Sequence, residues 1–156
     1  MVAWLDADEQ AAWRSVLEFC GRIIDGMDDD VAPFGLTSSD YEVLVHLSEA
    51  RDEGLRMSEL AARVLVSRSR LTYRVDRLEE RGLVVRESCL TDRRGFIARL
   101  TPAGRSFLRE VAPHHVAGVR ARVVDRLDRE EMLELGRIAA KVLAAERAPE
   151  ERRTAV

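Results

Sequence analysis

The arginines of one segment are the residues of this 156-residue chain whose type and spacing indicate chemistry. Arg70, Arg74, Arg77 and Arg81 recur at intervals of three or four residues, which places them on one side of a helix. A guanidinium keeps its charge and presents a planar fork of N–H donors, which bonds a phosphate or the edge of guanine through two hydrogen bonds. The spacing therefore indicates a surface that binds nucleic acid.

The same segment carries a second face that must be buried. Leu71, Val75 and Leu78 recur at i, i+4 and i+7, about a quarter turn away from the arginines. One face of this predicted helix, over residues 68–81, packs against a core while its neighbour carries the charge.

The ends of the helix and the element before it predict a helix-turn-helix pair. Ser67 is a suitable N-cap for the arginine-bearing helix, and Gly82 stands at the expected C′ position. A short helix over residues 59–64, capped by Ser58, precedes it. Two consecutive short helices joined by a tight turn are typical of this pair.

A predicted β-hairpin follows the second helix. Two apolar runs, at residues 83–85 and 96–98, suit short strands, and Arg93 and Arg94 lie at the loop between them. The sequence therefore predicts a mainly α fold with a small β-hairpin wing, that is, a winged helix-turn-helix with dimerisation helices at the N- and C-terminal ends.

The charge of the chain is segregated. The formal net charge is −3, yet the stretch from Arg56 to Leu100 holds eleven arginines against six acidic residues. Phosphate binding depends on the field at the contact surface more than on the total, so this local excess favours a nucleic-acid partner. Lys141 is the single lysine of the chain, and the arginine excess could equally reflect biased codon usage.

Further helices flank the predicted winged helix, which we place at about residues 37–100 within a single domain of residues 1–156. Four helices are predicted from apolar stripes, N-caps and capping boxes. They run over residues 9–31, from Thr37 to about residue 50, from Thr101 to Leu127 with a kink at Pro113, and from residue 129 to about 147. We expect a frayed tail at 148–156.

The stripes at the two ends of the chain are more apolar than a small winged helix could cover. We therefore expect the helices at about 9–31 and 101–147 to bury one another in a homodimer, whose two-fold axis presents two recognition helices to DNA. The alternative is a monomer with an elaborate helical cap.

Composition and motifs bound the function. No run of eighteen apolar residues is present and the first ten residues are acidic, so we expect a cytoplasmic protein without membrane partners. Cys20 and Cys89 do not make a disulfide framework. The sequence lacks HExxH, GxSxG, CxxC and phosphate-loop motifs, so we predict no enzyme activity and no cofactor.

In its sequence motifs, as well as in the order of its predicted elements, the chain resembles the multiple-antibiotic-resistance regulator (MarR) family. MSELAARV, VSRSRLTYRVDRLEERGLVVRE and TDRRGFIARLTPAGRSFL stand where that family has its third helix, recognition helix, wing and fifth helix. The resemblance covers nearly the whole chain. Its most specific pieces are RLEERGLV, the wing sequence DRR and LTPAGR.

The resemblance implies a homodimeric transcriptional regulator, usually a repressor, that binds a pseudo-palindromic operator and is often released by a small phenolic or other aromatic ligand or by an oxidant. By position, Arg94 would enter the minor groove, Arg93 would contact the backbone and Asp92 would brace the wing. Ser58 and Ser67 would offer hydroxyls and helix N-termini to phosphate. The groove-facing helix would contribute Arg68, Ser69, Arg70, Thr72, Tyr73, Arg74 and Arg77.

Two positions depart from the family pattern. Position 73, often Arg in the family, is Tyr here, which replaces a guanine-reading fork by an aromatic ring with one hydroxyl. The turn Val64-Leu65-Val66 lacks the small residue often found there.

Several residues invite a sensing role. The resemblance implies an aromatic ligand pocket between the dimer helices and the DNA-binding lobe, against the simpler interpretation of core packing. The expected stripe position of Cys20 predicts a buried structural thiol, and the spacing of the three histidines predicts no metal site. The candidate pocket residues are Trp13, Leu17, Phe34, Tyr41, Val45 and Tyr73.

Two other functions compete with a sequence-specific regulator. A winged helix used for protein–protein assembly need not keep arginines on both helix and wing. A non-specific architectural DNA binder would keep them, and it differs in having no affinity advantage for selected over random duplexes at about 150 mM salt.

Overall fold

A computed structural model of the chain describes residues 2–50, 54–64, 66–89 and 92–154, with the backbone alone at 89, 92–94 and 146–154. Two single turns of 3-10 helix occur at Ala32–Phe34 and Val124–Arg126. The helices and strands are α1 Ala7–Val31, α2 Ser38–Glu49, β1 Leu55–Arg56, α3 Met57–Arg63, α4 Arg68–Glu80, β2 Val84–Cys89, β3 Asp92–Leu100, α5 Pro102–Arg122 and α6 Arg129–Thr154.

The chain divides into two compact units, residues 1–118 and 119–156. The first unit holds α1 to α4, the sheet and most of α5 around one core, so the predicted helix-turn-helix and wing are present, and the fold class is confirmed. The predicted packing face of α4 is buried: Leu71, Val75 and Leu78 are at most 1% exposed. The second unit holds the end of α5 and α6.

The sheet has a strand that the sequence did not predict. The strand order is β1-β3-β2, and both pairs are antiparallel, with Leu55 opposite Ala98 and Val84 opposite Leu100. Gly54 precedes β1 with φ +68°, and a Cβ there would lie 2.5 Å from the carbonyl oxygen of Ala98. Glycine therefore lets the chain approach β3 closely enough to add β1.

Helix caps account for most of the boundaries. The N-caps Thr37, Ser67 and Asp128 each accept a backbone N–H three residues on, as predicted. The predicted cap Ser58 is wrong, because α3 begins at Met57. Glu59 accepts the backbone N–H of Arg56 at 3.2 Å and so stabilises an earlier start.

The wing and the C-terminal helices differ in length from the predictions. The hairpin strands reach Cys89 and begin again at Asp92, with a register shift between Ser88 and Cys89. Helix α5 continues through Pro113 and ends at Arg122, five residues before the predicted end. There the Arg126 guanidinium donates to the carbonyl of Ala121 at 2.8 Å, which satisfies one of the free carbonyls at the helix end. Helix α6 runs to Thr154, beyond residue 147.

The first turn of α5 is pressed against the turn between α4 and β2. The Thr101 hydroxyl accepts the N–H of Gly104 at 2.9 Å and donates to the carbonyl of Gly82 at 2.7 Å. A Cβ at position 104 would lie 2.1 Å from the carbonyl oxygen of Leu83. This approach, which only glycine permits, fixes the base of the wing against α5.

We predict that Gly104→Ala lowers the free energy of unfolding by about 3 kcal/mol, because the new methyl group meets backbone that cannot move aside. Helix propensity alone would give the opposite sign. Urea denaturation checks the effect, with the neighbouring exposed Ala103→Gly as control, which should cost at most about 1 kcal/mol. A Gly104→Ala protein as stable as the natural chain would show that the contact is not tight.

Candidate nucleic-acid interface

The solvent-facing side of α4 is an open groove. Ser69, Arg70, Tyr73 and Arg77 are exposed, and they line a groove of 470 Å³ together with Thr37 and Arg74. Leu71, Val75 and Leu78 lie behind them in the core. The structure thus brings together five of the side chains predicted to face the groove and presents them on a helix whose other side is anchored.

Three of the four remaining predicted contacts of the helix-turn-helix line a neighbouring cleft between α3, α4 and the hairpin, and Ser67 lies outside it. Ser67 is exposed at the N-cap of α4, where its hydroxyl lies 3.1 Å from that of Ser69. The cleft, also of 470 Å³, contains the predicted residues Ser58, Arg68 and Thr72 with Arg56, Met57, Arg86, Gly95 and Phe96. The two clefts flank α4.

Arg74 differs from the other predicted groove residues because its guanidinium is already bound. Its Nη1 lies 3.0 Å from Asp40 Oδ1 and donates to the Thr37 hydroxyl at 2.7 Å. Only 23% of the Arg74 side chain is exposed, and Asp40 is buried. Arg77 lies at the edge of the same site, with Nη1 4.0 Å from the second carboxylate oxygen. Arg74 therefore holds α4 to α2, and its predicted contact with DNA stays a prediction.

Asp40 is the functional residue that sequence reasoning missed. Its carboxylate also accepts the backbone N–H and the hydroxyl of Thr37, at 3.0 and 2.8 Å, which completes a capping box at the start of α2. The spacing Thr37-x-x-Asp40 indicates the cap. The ion pair with a residue 34 positions away has no signal in the sequence.

A second ion-pair network holds the wing to α4. The Arg86 guanidinium lies 2.7 Å from Asp76 and 2.7 Å from Glu79, and the backbone N–H of Arg86 donates to Glu79 at 2.9 Å. These contacts lower the pKa of Glu79, chiefly through the backbone hydrogen bond and further through the Arg86 side chain. The hairpin is therefore fixed to the recognition helix through side chains that do not face the groove.

Arg81, the last of the four regularly spaced arginines, also has a structural role. Its guanidinium donates to the carbonyls of Phe34 and Gly35, at 3.0 and 3.1 Å, and stacks 5.0 Å from the ring centre of Phe107. The charged face predicted from the spacing is therefore shorter, and its exposed cations are Arg70 and Arg77.

The predicted wing contacts Asp92, Arg93 and Arg94 lie outside the described side chains. The backbone of all three belongs to β3. Their predicted roles in the wing stay predictions.

The predicted pocket residues occupy three different environments. Phe34, Tyr41 and Val45 pack into or against the core, and Tyr41 contacts the ring of His115 with 4.6 Å between ring centres. Trp13 and Leu17 are exposed on α1, whereas Tyr73 is exposed on α4. Of the six, only Tyr73 lines either cleft described above. Neither of the two clefts therefore joins these six residues, and the predicted ligand pocket stays a prediction.

The sensing residues also differ from expectation. Cys20 is exposed, so the prediction of a buried thiol is wrong for a single chain, because the stripe on which it lies faces away from the core. His46 lies 3.5 Å from Glu49, and His115 lies 3.6 Å from Asp30. Among the described residues, no three His, Cys, Asp or Glu side chains are grouped to hold a metal ion.

The α3–α4 pair with an antiparallel hairpin packed beside it defines a winged helix-turn-helix protein. In the part of the chain that the structure describes, no helix is long and apolar enough to cross a membrane. Residues 34–95 match the sequence profile of the MarR family.

Similar proteins agree with that match. AbsC, a MarR family transcriptional regulator from Streptomyces coelicolor, is 43% identical over 94% of this chain and 99% of its own, with a TM-score of 0.87. Sco3205 from the same organism, solved in complex with DNA, is 41% identical over 93% and 91%, with a TM-score of 0.89. The transcriptional repressor MdtR from Bacillus subtilis (strain 168) is 35% identical over 71% of this chain and 70% of its own.

The chain belongs to the MarR family of transcriptional regulators. This confirms the predicted family and the predicted function of a DNA-binding regulator.

We predict that Arg74→Ala lowers the free energy of unfolding by about 3 kcal/mol, because it removes the cation that is hydrogen-bonded to the buried Asp40 carboxylate. Arg70→Ala, a matched change at an exposed position of the same helix, should cost less than about 0.5 kcal/mol. Chemical denaturation measures both. Adding Asp40→Asn to Arg74→Ala should recover part of the loss, and strictly additive effects would contradict the pairing.

Proposed function

We propose that this chain is a transcriptional repressor that binds a pseudo-palindromic operator as a homodimer, in the cytoplasm and without catalytic activity. The observation that carries the proposal is the groove side of α4, where Arg70, Tyr73 and Arg77 stand open to solvent on a helix that is otherwise anchored. We treat residues 1–156 as one MarR-like domain with its winged helix at about 37–100.

The dimensions of α4 suit the major groove of DNA. Its 13 residues make a rod about 20 Å long, and a helix of ordinary width fits a groove about 12 Å across. Arg70 and Arg77 supply forks for phosphates or guanine edges. The hairpin emerges beside α4, so Arg94 would reach the adjacent minor groove, with Arg93 on the backbone and Asp92 as a brace.

The similar proteins support specific repression. MdtR is named a transcriptional repressor, and the structure of Sco3205 was solved with DNA. Both arginine-bearing elements, helix and wing, are kept in this chain, which favours DNA over a protein partner. Release by an aromatic ligand rests on the family resemblance, and Phe34, Tyr41 and Val45 are the candidate residues that pack in or against the same core.

Exposed apolar side chains on the terminal helices support a homodimer. Outside the terminal segments and helices, the described part of the chain exposes three large apolar side chains, Tyr73, Val85 and Phe96. The exposed apolar side chains of the terminal helices would leave water if two copies buried them against each other. The exposed set on α1 and α6 includes Trp13, Val16, Leu17, Phe19, Ile24, Leu133, Ile138, Val142 and Leu143.

Selection of bound duplexes from a random pool tests the function. We predict an imperfect palindrome with half-sites about 10 to 11 base pairs apart, the separation that two-fold related helices need to enter one face of B-DNA. Arg70→Ala should weaken binding and lower the salt slope by about one, since it removes one cation from the interface. Recovery of no sequence above random would indicate an architectural binder, and no DNA binding at all would indicate an assembly module.

The dimer has its own test. We predict that the natural chain sediments as a dimer at micromolar concentration and that Trp13→Glu with Leu17→Glu shifts it toward monomer, because two charges then stand on the apolar face of α1. Val85→Glu is the matched control. It places a carboxylate on the exposed side of β2 opposite Arg99 and should leave the dimer intact. A stable monomer of the natural chain would refute the two-fold docking.

A further inference from the structure

One neutral aromatic side chain stands among the cations of the α4 groove. Tyr73 is 64% exposed and lines the groove between Ser69, Arg70 and Arg77. Tyrosine is enriched at interfaces, because its ring offers apolar surface while its hydroxyl stays in a polar environment.

Tyr73 takes no part in the structural contacts that its neighbours make. Arg74 is committed to Asp40 and Thr37, and Arg77 approaches the same carboxylate. In the part of the chain that the structure describes, the Tyr73 and Arg70 side chains make no hydrogen bond or ion pair. Tyr73 is also not among the side chains that pack in or against the core, so its ring is open to a partner in the groove.

The chemistry of the phenol limits what it can recognise in DNA. Without charge, it releases no counterions from phosphate, so it adds little to sequence-independent affinity. Its largest surface is apolar ring carbon. The apolar group that a base pair presents in the major groove is the C5-methyl of thymine, which side chains recognise by apolar contact.

We propose that Tyr73 is a specificity-determining residue that contacts the methyl group of one thymine in each operator half-site. The inference rests on the proposed function, because it requires α4 to enter the major groove. Affinity then comes chiefly from the arginines, and base preference at this position comes from a contact that carries no charge.

Removal of single methyl groups from the DNA tests the proposal. In the palindrome recovered by selection, each thymine and its symmetry mate are replaced by deoxyuridine, and binding is titrated at fixed salt. At one symmetric pair of positions, the loss of a methyl should weaken binding by the natural protein about fourfold per half-site, the equivalent of one apolar carbon returned to water.

Three variants separate the ring from its hydroxyl and from charge. Tyr73→Ala should bind the thymine and deoxyuridine duplexes equally and keep the natural salt slope, whereas Tyr73→Phe should keep the preference for thymine. Arg70→Ala should keep that preference and lower the salt slope by about one. Because the replaced side chain is exposed, all variants should keep the thermal midpoint of the natural protein, which a melting curve verifies.

The outcomes distinguish this inference from the function on which it rests. If selection recovers no preferred sequence, the proposed function fails. If it recovers a palindrome but no thymine methyl matters through Tyr73, the function stands and this inference is overturned. The inference is also overturned if Tyr73→Phe loses the preference as Tyr73→Ala does, since the hydroxyl would then be the reading group.

Discussion

The buried carboxylate of Asp40 is the interaction on which the orientation of the recognition helix depends. It closes the N-terminus of α2 through Thr37 and holds Arg74 of α4 at 3.0 Å. A carboxylate that is almost removed from water is costly unless its oxygens are bonded, so the site is stable only when both helices are in place. The contact between Asp40 and Arg74, which lies at the edge of the α4 groove, thus positions the groove side of α4.

Two more anchors complete the restraint. Arg86 joins the wing to α4 through Asp76 and Glu79, and Arg81 joins the end of α4 to the chain after α1. Of these two arginines, Arg81 belongs to the regularly spaced set that predicted a nucleic-acid surface. Exposed cations and the aromatic ring of Tyr73 remain for recognition, and a rigid helix presents them without a further loss of conformational entropy on binding.

How much of this structure the sequence could predict depends on how far apart in the sequence the contacting residues lie. The buried face of α4, its cap at Ser67 and the capping box at Asp128 are local patterns, and the structure has all three. Strand β1 is only two residues long and exists through pairing with Ala98 and Ile97, which no local pattern contains.

Contacts between residues that are far apart in the sequence also escaped prediction. The pair between Asp40 and Arg74 joins residues 34 positions apart, so spacing assigned Arg74 to DNA. Cys20 was expected to be buried because its stripe is apolar, yet it is exposed in a single chain. A helical stripe predicts that a surface will be covered and does not say by which chain.

The corner between α1 and α2 connects the proposed dimer to the DNA-binding face. The backbone N–H of Ser38 donates to Asp28 at 2.6 Å, a bond that holds the pKa of that carboxyl below its usual range. Arg81 binds the carbonyls of Phe34 and Gly35 in the same corner. Because α1 is joined to α2 and α4 in this way, a rotation of α1 in the proposed dimer would be transmitted to α4. The half-site spacing of the proposed operator would then depend on how the two copies pack, although no residue of α1 would need to touch DNA.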